Sequence, residues 1–238
     1  MMSSAGTVPA AGDCPDEEWI GDIVDTREPR AILDSVMQFR GRIWSVRSDT
    51  VDFDGHHAVR DVLLHLGAVA VIAIDEADRV LLIRQYRHPV AMSLFEPPAG
   101  LLDVQGEAPH LTAARELAEE SGYEAGSWSV LVDVLNSPGG SSEAIRVYLA
   151  RDLSAIPTGR PHTGEAEEAH LPRAWVDLDE AKELVLAGQI ASPSAVCGIL
   201  AAWASRAGGW SSLRPLEASW PARDVLVAEH RVNTIGTR

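Results

Sequence analysis

A layered α/β sandwich is the fold this sequence predicts, and three observations predict it. The runs GAVAVIAI (67–74) and VLLIRQYR (80–87) are apolar and rich in β-branched residues, the signature of strands. Residues 109–121 instead place apolar side chains at helical spacing. The last third of the chain turns helical in LDEAKELVLAGQ (178–189) and SAVCGILAAWASRA (194–207). Strands, one long helix, more strands and then helices is the order of helices packed on a sheet.

The elements follow in order. Residues 1–16 are small and polar and read as a disordered tail. Residues 17–62 read as a β-rich segment, since GRIWSVRSDTVDF (41–53) alternates and HAVRDVLLHLGAVAVIAID (57–75) is rich in β-branched residues. EADR (76–79) is a turn, so the runs on either side of it are expected to form a hairpin. HPVAMSLFEPPAG (88–100) reads as a proline-broken loop. Pro109 suits a first helical turn and Gly122 a C-terminal cap, with Leu111, Ala114, Leu117 and Ala118 as the expected core face. WSVLVDVLNSP (128–138) and AIRVYLARDL (144–153) are strands, and HTGEAEEAHLPR (162–173) is an acidic loop. The main domain is expected over 63–207, and 208–238 is expected to be a poorly packed tail. Tryptophans 19, 128, 175, 203, 210 and 220 read as packing residues or tail anchors.

Composition removes several classes. The 238 residues carry a net charge of −15, from 35 acidic and 20 basic side chains, which opposes general nucleic-acid binding and an anionic membrane surface. Only two cysteines occur, Cys14 and Cys197, so neither a disulfide framework nor a cysteine zinc site is expected; the histidines show no zinc spacing. No basic, apolar leader opens the chain, and the longest apolar run (62–74) is interrupted by His65 and too short to span a bilayer. A cytoplasmic location is expected.

The chemistry concentrates in the 109–121 helix. Glu116 and Glu120 are spaced i, i+4 on one face, with Glu119 beside them. Like charges at that spacing cost a helix roughly 0.2–0.5 kcal/mol per pair. A solvated acidic face would explain them, and Arg115 softens the repulsion. A hard divalent cation explains them better, because carboxylates one turn apart can share it and magnesium also takes phosphate oxygens.

Arg115 to Tyr123, RELAEESGY, with Glu107 ahead of it, resembles the Nudix hydrolase box G-x5-E-x7-R-E-U-x-E-E-x-G-U, where U is a bulky apolar residue. From Glu107 onward the spacing fits throughout. Six residues rather than five separate Gly100 from Glu107, so the turn before the helix is one residue longer. The flanks, including FEPPAGLLD, LVDVLNSPGGSSEAIRVYLA and Pro138 sixteen residues after Gly122, resemble the ADP-ribose pyrophosphatase branch, above all its actinobacterial members. The similarity covers about residues 40–207.

That resemblance implies an α/β/α Nudix sandwich with a mixed sheet, and an N-terminal antiparallel β-rich segment that pairs two copies as a homodimer. It implies hydrolysis of ADP-ribose to AMP and ribose 5-phosphate with Mg2+ or Mn2+. Glu116, Glu120 and the Ala99 carbonyl would hold metal, with Glu119 a further ligand or a nearby catalytic acid, while Gly100, Glu107, Arg115 and Gly122 would shape the motif. A general base is expected outside the helix: Glu143, or the loop acids Glu165, Glu167 and Glu168, of which Glu167 or Glu168 fits the branch's catalytic loop. Arg87 and Glu96 would contact substrate, and Trp44 and Arg60 would reach adenine across the dimer. Rival readings are another nucleoside diphosphate derivative as substrate, or a non-catalytic nucleotide sensor; the retained glutamates and the absence of a basic helix weigh against the sensor.

Overall fold

The computed structural model describes residues 19–160 and 171–223. The 1–16 tail, the 161–170 stretch with its three glutamates, and 224–238 lie outside the described residues. In chain order the elements are β1 (Ile32–Arg40), β2 (Ser45–Phe53), β3 (His56–Leu64), β4 (Ala68–Ala73), β5 (Arg79–Arg87), β6 (Met92–Glu96), β7 (Ala99–Leu101), α1 (Pro109–Ser121), β8 (Tyr123–Leu135), β9 (Ala144–Ala155), β10 (Arg173–Asp177), α2 (Leu178–Leu186) and α3 (Pro193–Ala207).

The central sheet runs β7-β4-β9-β8 and is mixed, since β4 pairs parallel with β9 and antiparallel with β7. Both faces of β4 are covered, which is why its sequence is apolar without alternation. Val69, Val71 and Ala73 join Ala113 and Leu117 of α1 in one cluster. Ala70, Ile72 and Ile74 join Ala195, Ile199 and Ala202 of α3 in another, with Leu178 and Ala181 of α2. The expected α/β/α sandwich is therefore present. At Gly198 the helix comes close enough that a Cβ would stand 2.7 Å from Ile72 Cδ1.

The expected hairpin between 67–74 and 80–87 is not formed. β4 and β5 share one isolated bridge, Ile74 to Val80, and then part into different sheets. β7 and β9 already occupy both edges of β4, so β5 pairs instead with β6 and β10. The 88–100 stretch is likewise more ordered than a loop. His88–Val90 form a single 3-10 turn, after which Met92–Glu96 folds back on β5 before Pro97 and Pro98 end the strand.

Upstream, β1, β2 and β3 make an antiparallel sheet of their own. Asp54 and Gly55, both at positive φ, close its β2–β3 turn, a conformation suited to these two residue types. Downstream, 208–223 is packed rather than loose. Val130 and Arg214 exchange backbone hydrogen bonds, and the buried Trp220 covers Ala144. Arg146, 3% exposed, donates to both Asp133 oxygens (2.7 and 3.0 Å) and to the carbonyls of Ala218 and Ser219. Trp19, by contrast, is exposed rather than packed. No helix among the described residues is long and apolar enough to cross a membrane.

Candidate active site

The glutamate helix meets the sheet through Ala113, Leu117, Glu120 and Ser121, with Thr112 also buried. Of the expected stripe, Leu117 is fully buried, but Leu111 is exposed, and Ala114 and Ala118 are only partly covered. Small Ala113 lets the helix lie close to β4, and the resulting rotation turns Glu120 inward. Glu120 Oε2 accepts the Ala99 N–H at 2.8 Å, tying the box helix to β7. Gly122 ends the helix in the left-handed region at φ 73°, donating to the Ala118 carbonyl.

Gly100 sits directly under Glu116, and a Cβ there would collide with the Glu116 carboxylate. Glycine is needed for the close approach of a carboxylate to β7, not for an unusual backbone angle. Arg115 lies among three acids. It donates to Glu107 (3.2 and 3.3 Å), to Glu116 (2.7 Å) and to Glu119 (3.2 Å). Its hydrogen bonds to Glu107 push the guanidinium above its ordinary range, burial working against them. Arg115, and then Thr112 at 2.8 Å, hold Glu107 below the usual carboxylate range. The loop that leads into the helix is thus fastened to its middle.

The other expected residues fall into separate groups. Arg87 and Glu96 pair with each other at 2.7 Å on β5 and β6. Glu96 is buried, and its second oxygen accepts from Ser192 at 2.7 Å. Sequence reading passed over Ser192. It is the N-cap residue of α3, yet its hydroxyl makes no cap bond and reaches Glu96 instead. Glu143 lies just before β9, with Oε2 accepting from Asn136 at 2.6 Å and Oε1 3.6 Å from His65 Nε2. Its neighbour Ile145 pairs with Ala68, which also pairs with Leu101, so Glu143 and the end of β7 flank β4 at the same end. Two strand spacings, about 10 Å, separate the flanking strands.

Trp44 is half exposed and tilts against His65, with ring centroids 6.3 Å apart. Arg60 lies 5.3 Å over the Phe53 ring on the N-terminal sheet, and its side chain donates to the Val59 carbonyl, so both of these contacts stay on that sheet. Glu167 is outside the described residues. Two described arginines that sequence reading did not single out, Arg160 and Arg173, reach α1. Arg160 donates to the Glu119 carbonyl at 2.9 Å and Arg173 to that of Ser121, both at the C-terminal end of α1. Cations there complement the helix dipole, a signal visible only once the fold is known.

The NUDIX domain family matches residues 64–195, more than half of the sequence. The chain belongs to the NUDIX family. Within it, an ADP-ribose pyrophosphatase of Mycobacterium tuberculosis is 44% identical over 192 residues, spanning 80% of this chain and 91% of that one. A methanol dehydrogenase activator of Bacillus methanolicus is 37% identical, over 62% of this chain and 78% of its own. The crystal structure of an ADP compounds hydrolase shares the fold, with a TM-score of 0.61 at 23% identity, covering 78% of this chain and 99% of that one.

The NUDIX box residues fit a divalent cation by their donor chemistry. Three carboxylates and one peptide carbonyl offer hard oxygens alone, and Gly100 leaves the gap in which Glu116 lies against the backbone. Among the described residues, no three His, Cys, Asp or Glu side chains are drawn together as a cage. Arg115 pairs with Glu107, Glu116 and Glu119 of the NUDIX box.

Proposed function

We propose that this NUDIX chain hydrolyses the diphosphate bond of ADP-ribose to AMP and ribose 5-phosphate, using Mg2+ or Mn2+ in the cytoplasm. The observation that carries the reading is the box helix seated on β7, with Glu120 accepting the Ala99 N–H and Glu116 lying against Gly100, in a chain 44% identical to an ADP-ribose pyrophosphatase. Glu116, Glu119, Glu120 and the Ala99 carbonyl would hold the ion. When bound, it would neutralise charge on the diphosphate and on the transition state.

The chain's own groups do the rest. Water attacks one phosphorus, the bridging P–O bond breaks, and a carboxylate takes the proton that water loses. Glu143, just before β9, and Glu167 are the residues we assign to proton transfer. Arg87 would face a phosphate. Glu96, held by Arg87 and Ser192, would accept from a ribose hydroxyl. Trp44 and Arg60 would serve adenine from a second copy. The exposed apolar residues of the N-terminal sheet, among them Val36, Phe39 and Val59, support a homodimer as the working unit.

The test is phosphate-ester release from ADP-ribose, ADP-sugars, GDP-mannose, dinucleotides and oxidised nucleotides, with either metal and with chelator. ADP-ribose should be preferred and chelator should stop turnover. Another winner would move the substrate, and no turnover on any member would favour a nucleotide sensor. Glu120→Gln should abolish turnover in a folded protein, and sedimentation should give twice the chain mass of 25.6 kDa.

A further inference from the structure

His65 is a buried titratable side chain that the reaction outlined above leaves unused. It lies in the short link between β3 and β4, where the N-terminal sheet passes into the central one, and is 5% exposed. Nothing as large as a substrate can reach it. Its surroundings nevertheless orient it toward one group. Nδ1 accepts the Gly67 N–H at 3.1 Å, so the neutral ring carries its proton on Nε2. Nε2 faces Glu143 Oε1 at 3.6 Å, an ion-pair distance rather than a hydrogen bond. The other Glu143 oxygen is held by Asn136.

The loop that carries Glu143 is docked on the same link. Leu63 N–H donates to the Gly140 carbonyl at 2.9 Å, and Ser142 N–H donates to the Leu63 carbonyl at 3.0 Å. The His65 N–H donates to Ser142 Oγ at 3.0 Å. A loop with two adjacent glycines, Gly139 and Gly140, is therefore fixed against β3 at three points, all within three residues of His65. Glu143 is 19% exposed at its side chain, against 6% for His65. One member of the pair can meet a ligand and the other cannot.

We infer that His65 is a positioning residue for Glu143: with Asn136 on the opposite oxygen, it sets the direction in which the carboxylate faces the reacting water. The inference rests on the reading of Glu143 as a proton-transferring acid. It makes the β3–β4 link part of the site, although no residue of that link touches substrate.

Two variants separate positioning from simple packing. His65→Asn keeps an acceptor near Nδ1 for Gly67 but has no donor toward Glu143. His65→Gln places an amide N–H close to where Nε2 stood. Steady-state hydrolysis of ADP-ribose with magnesium should show His65→Asn losing kcat by about tenfold, the size of effect expected when one member of a coupled pair is removed. KM should be unchanged, and His65→Gln should recover most of the loss. In a Glu143→Gln background, His65→Asn should add less than about twofold, since the two act through one group.

A full, undiminished loss in that background would overturn the inference, as would unchanged kcat in His65→Asn with only a lowered Tm. Full turnover by Glu143→Gln alone would instead sink the role given to Glu143, and this inference with it. If Glu143→Gln is impaired while His65→Asn is not, His65 alone has been misassigned.

Discussion

At position 100, the absence of one methyl group sets how near Glu116 comes to the sheet. Gly100→Ala should force the Glu116 carboxylate aside and lower kcat by about 100-fold, since a misplacement of 1 Å costs that much at a reacting centre. The same variant should melt close to the parent, because the crowding falls on a partly exposed side chain that can move. Glu107 gives a prediction with a sign. Its carboxyl is held below its unfolded value of 4.5, by Arg115 first and Thr112 second. Such a group adds stability that is fully present above the unfolded value and is lost as pH falls through the folded one. The urea midpoint of the parent should therefore exceed that of Glu107→Gln by a constant margin from pH 6 to 8, and the margin should shrink below pH 4.5. A margin unchanged at pH 3 would show that charge is not the cause. At this scale the box was legible, because fixed spacing on one helix carries its own geometry. Ser192 was not, because its partner Glu96 is 96 residues away and its local context reads as an ordinary cap.

Elements were legible where one period dominated. The runs that became β4, β8 and β9 and the three helices carry long patterns that the structure keeps, whereas the three-residue β7 lies where the sequence read as the end of a loop. What sequence could not show was which neighbour each strand would take. The turn at 76–79 exists, with Asp75 accepting from the Arg79 N–H at 2.9 Å, but pairing across it stops after one bridge. The face of α1 was misjudged for a related reason. Leu111 is a stronger apolar signal than Ala113, yet close approach to β4 favours the small residue. α3 obeys the same rule at Gly198, and there the consequence can be measured. Gly198→Ala should raise helix propensity and still destabilise the protein, by about 1–3 kcal/mol, because the added methyl meets Ile72 in a filled core. Denaturant titration would check it; a more stable variant would mean that α3 can slide.

Across the whole molecule, the sandwich and its family were readable from the sequence, the family matching residues 64–195, whereas the packed 208–223 segment was not. Its apolar residues are scattered and have no period. Its partners, Arg146 and Asp133, lie on strands more than 70 residues earlier. Asp133 answers two guanidiniums, from Arg146 and Arg214. Asp133→Asn should cost about 3 kcal/mol, since it strands the charge of a nearly fully buried arginine. Ending the chain after Leu213 should lower stability as well, by removing the carbonyls that Arg146 also uses. Thermal melts of both would show a loss, and an unchanged melt of Asp133→Asn would mean that the backbone carbonyls suffice. Arg115 has a last, practical meaning. A ledge of carboxylates with its own built-in counter-ion does not depend on an added one to stay assembled. Protein stripped with chelator should keep well in storage, giving up only what mass action adds for a bound ion, about 2.7 kcal/mol at a hundredfold excess over Kd. Activity should return on mixing with the ion, with no lag for refolding.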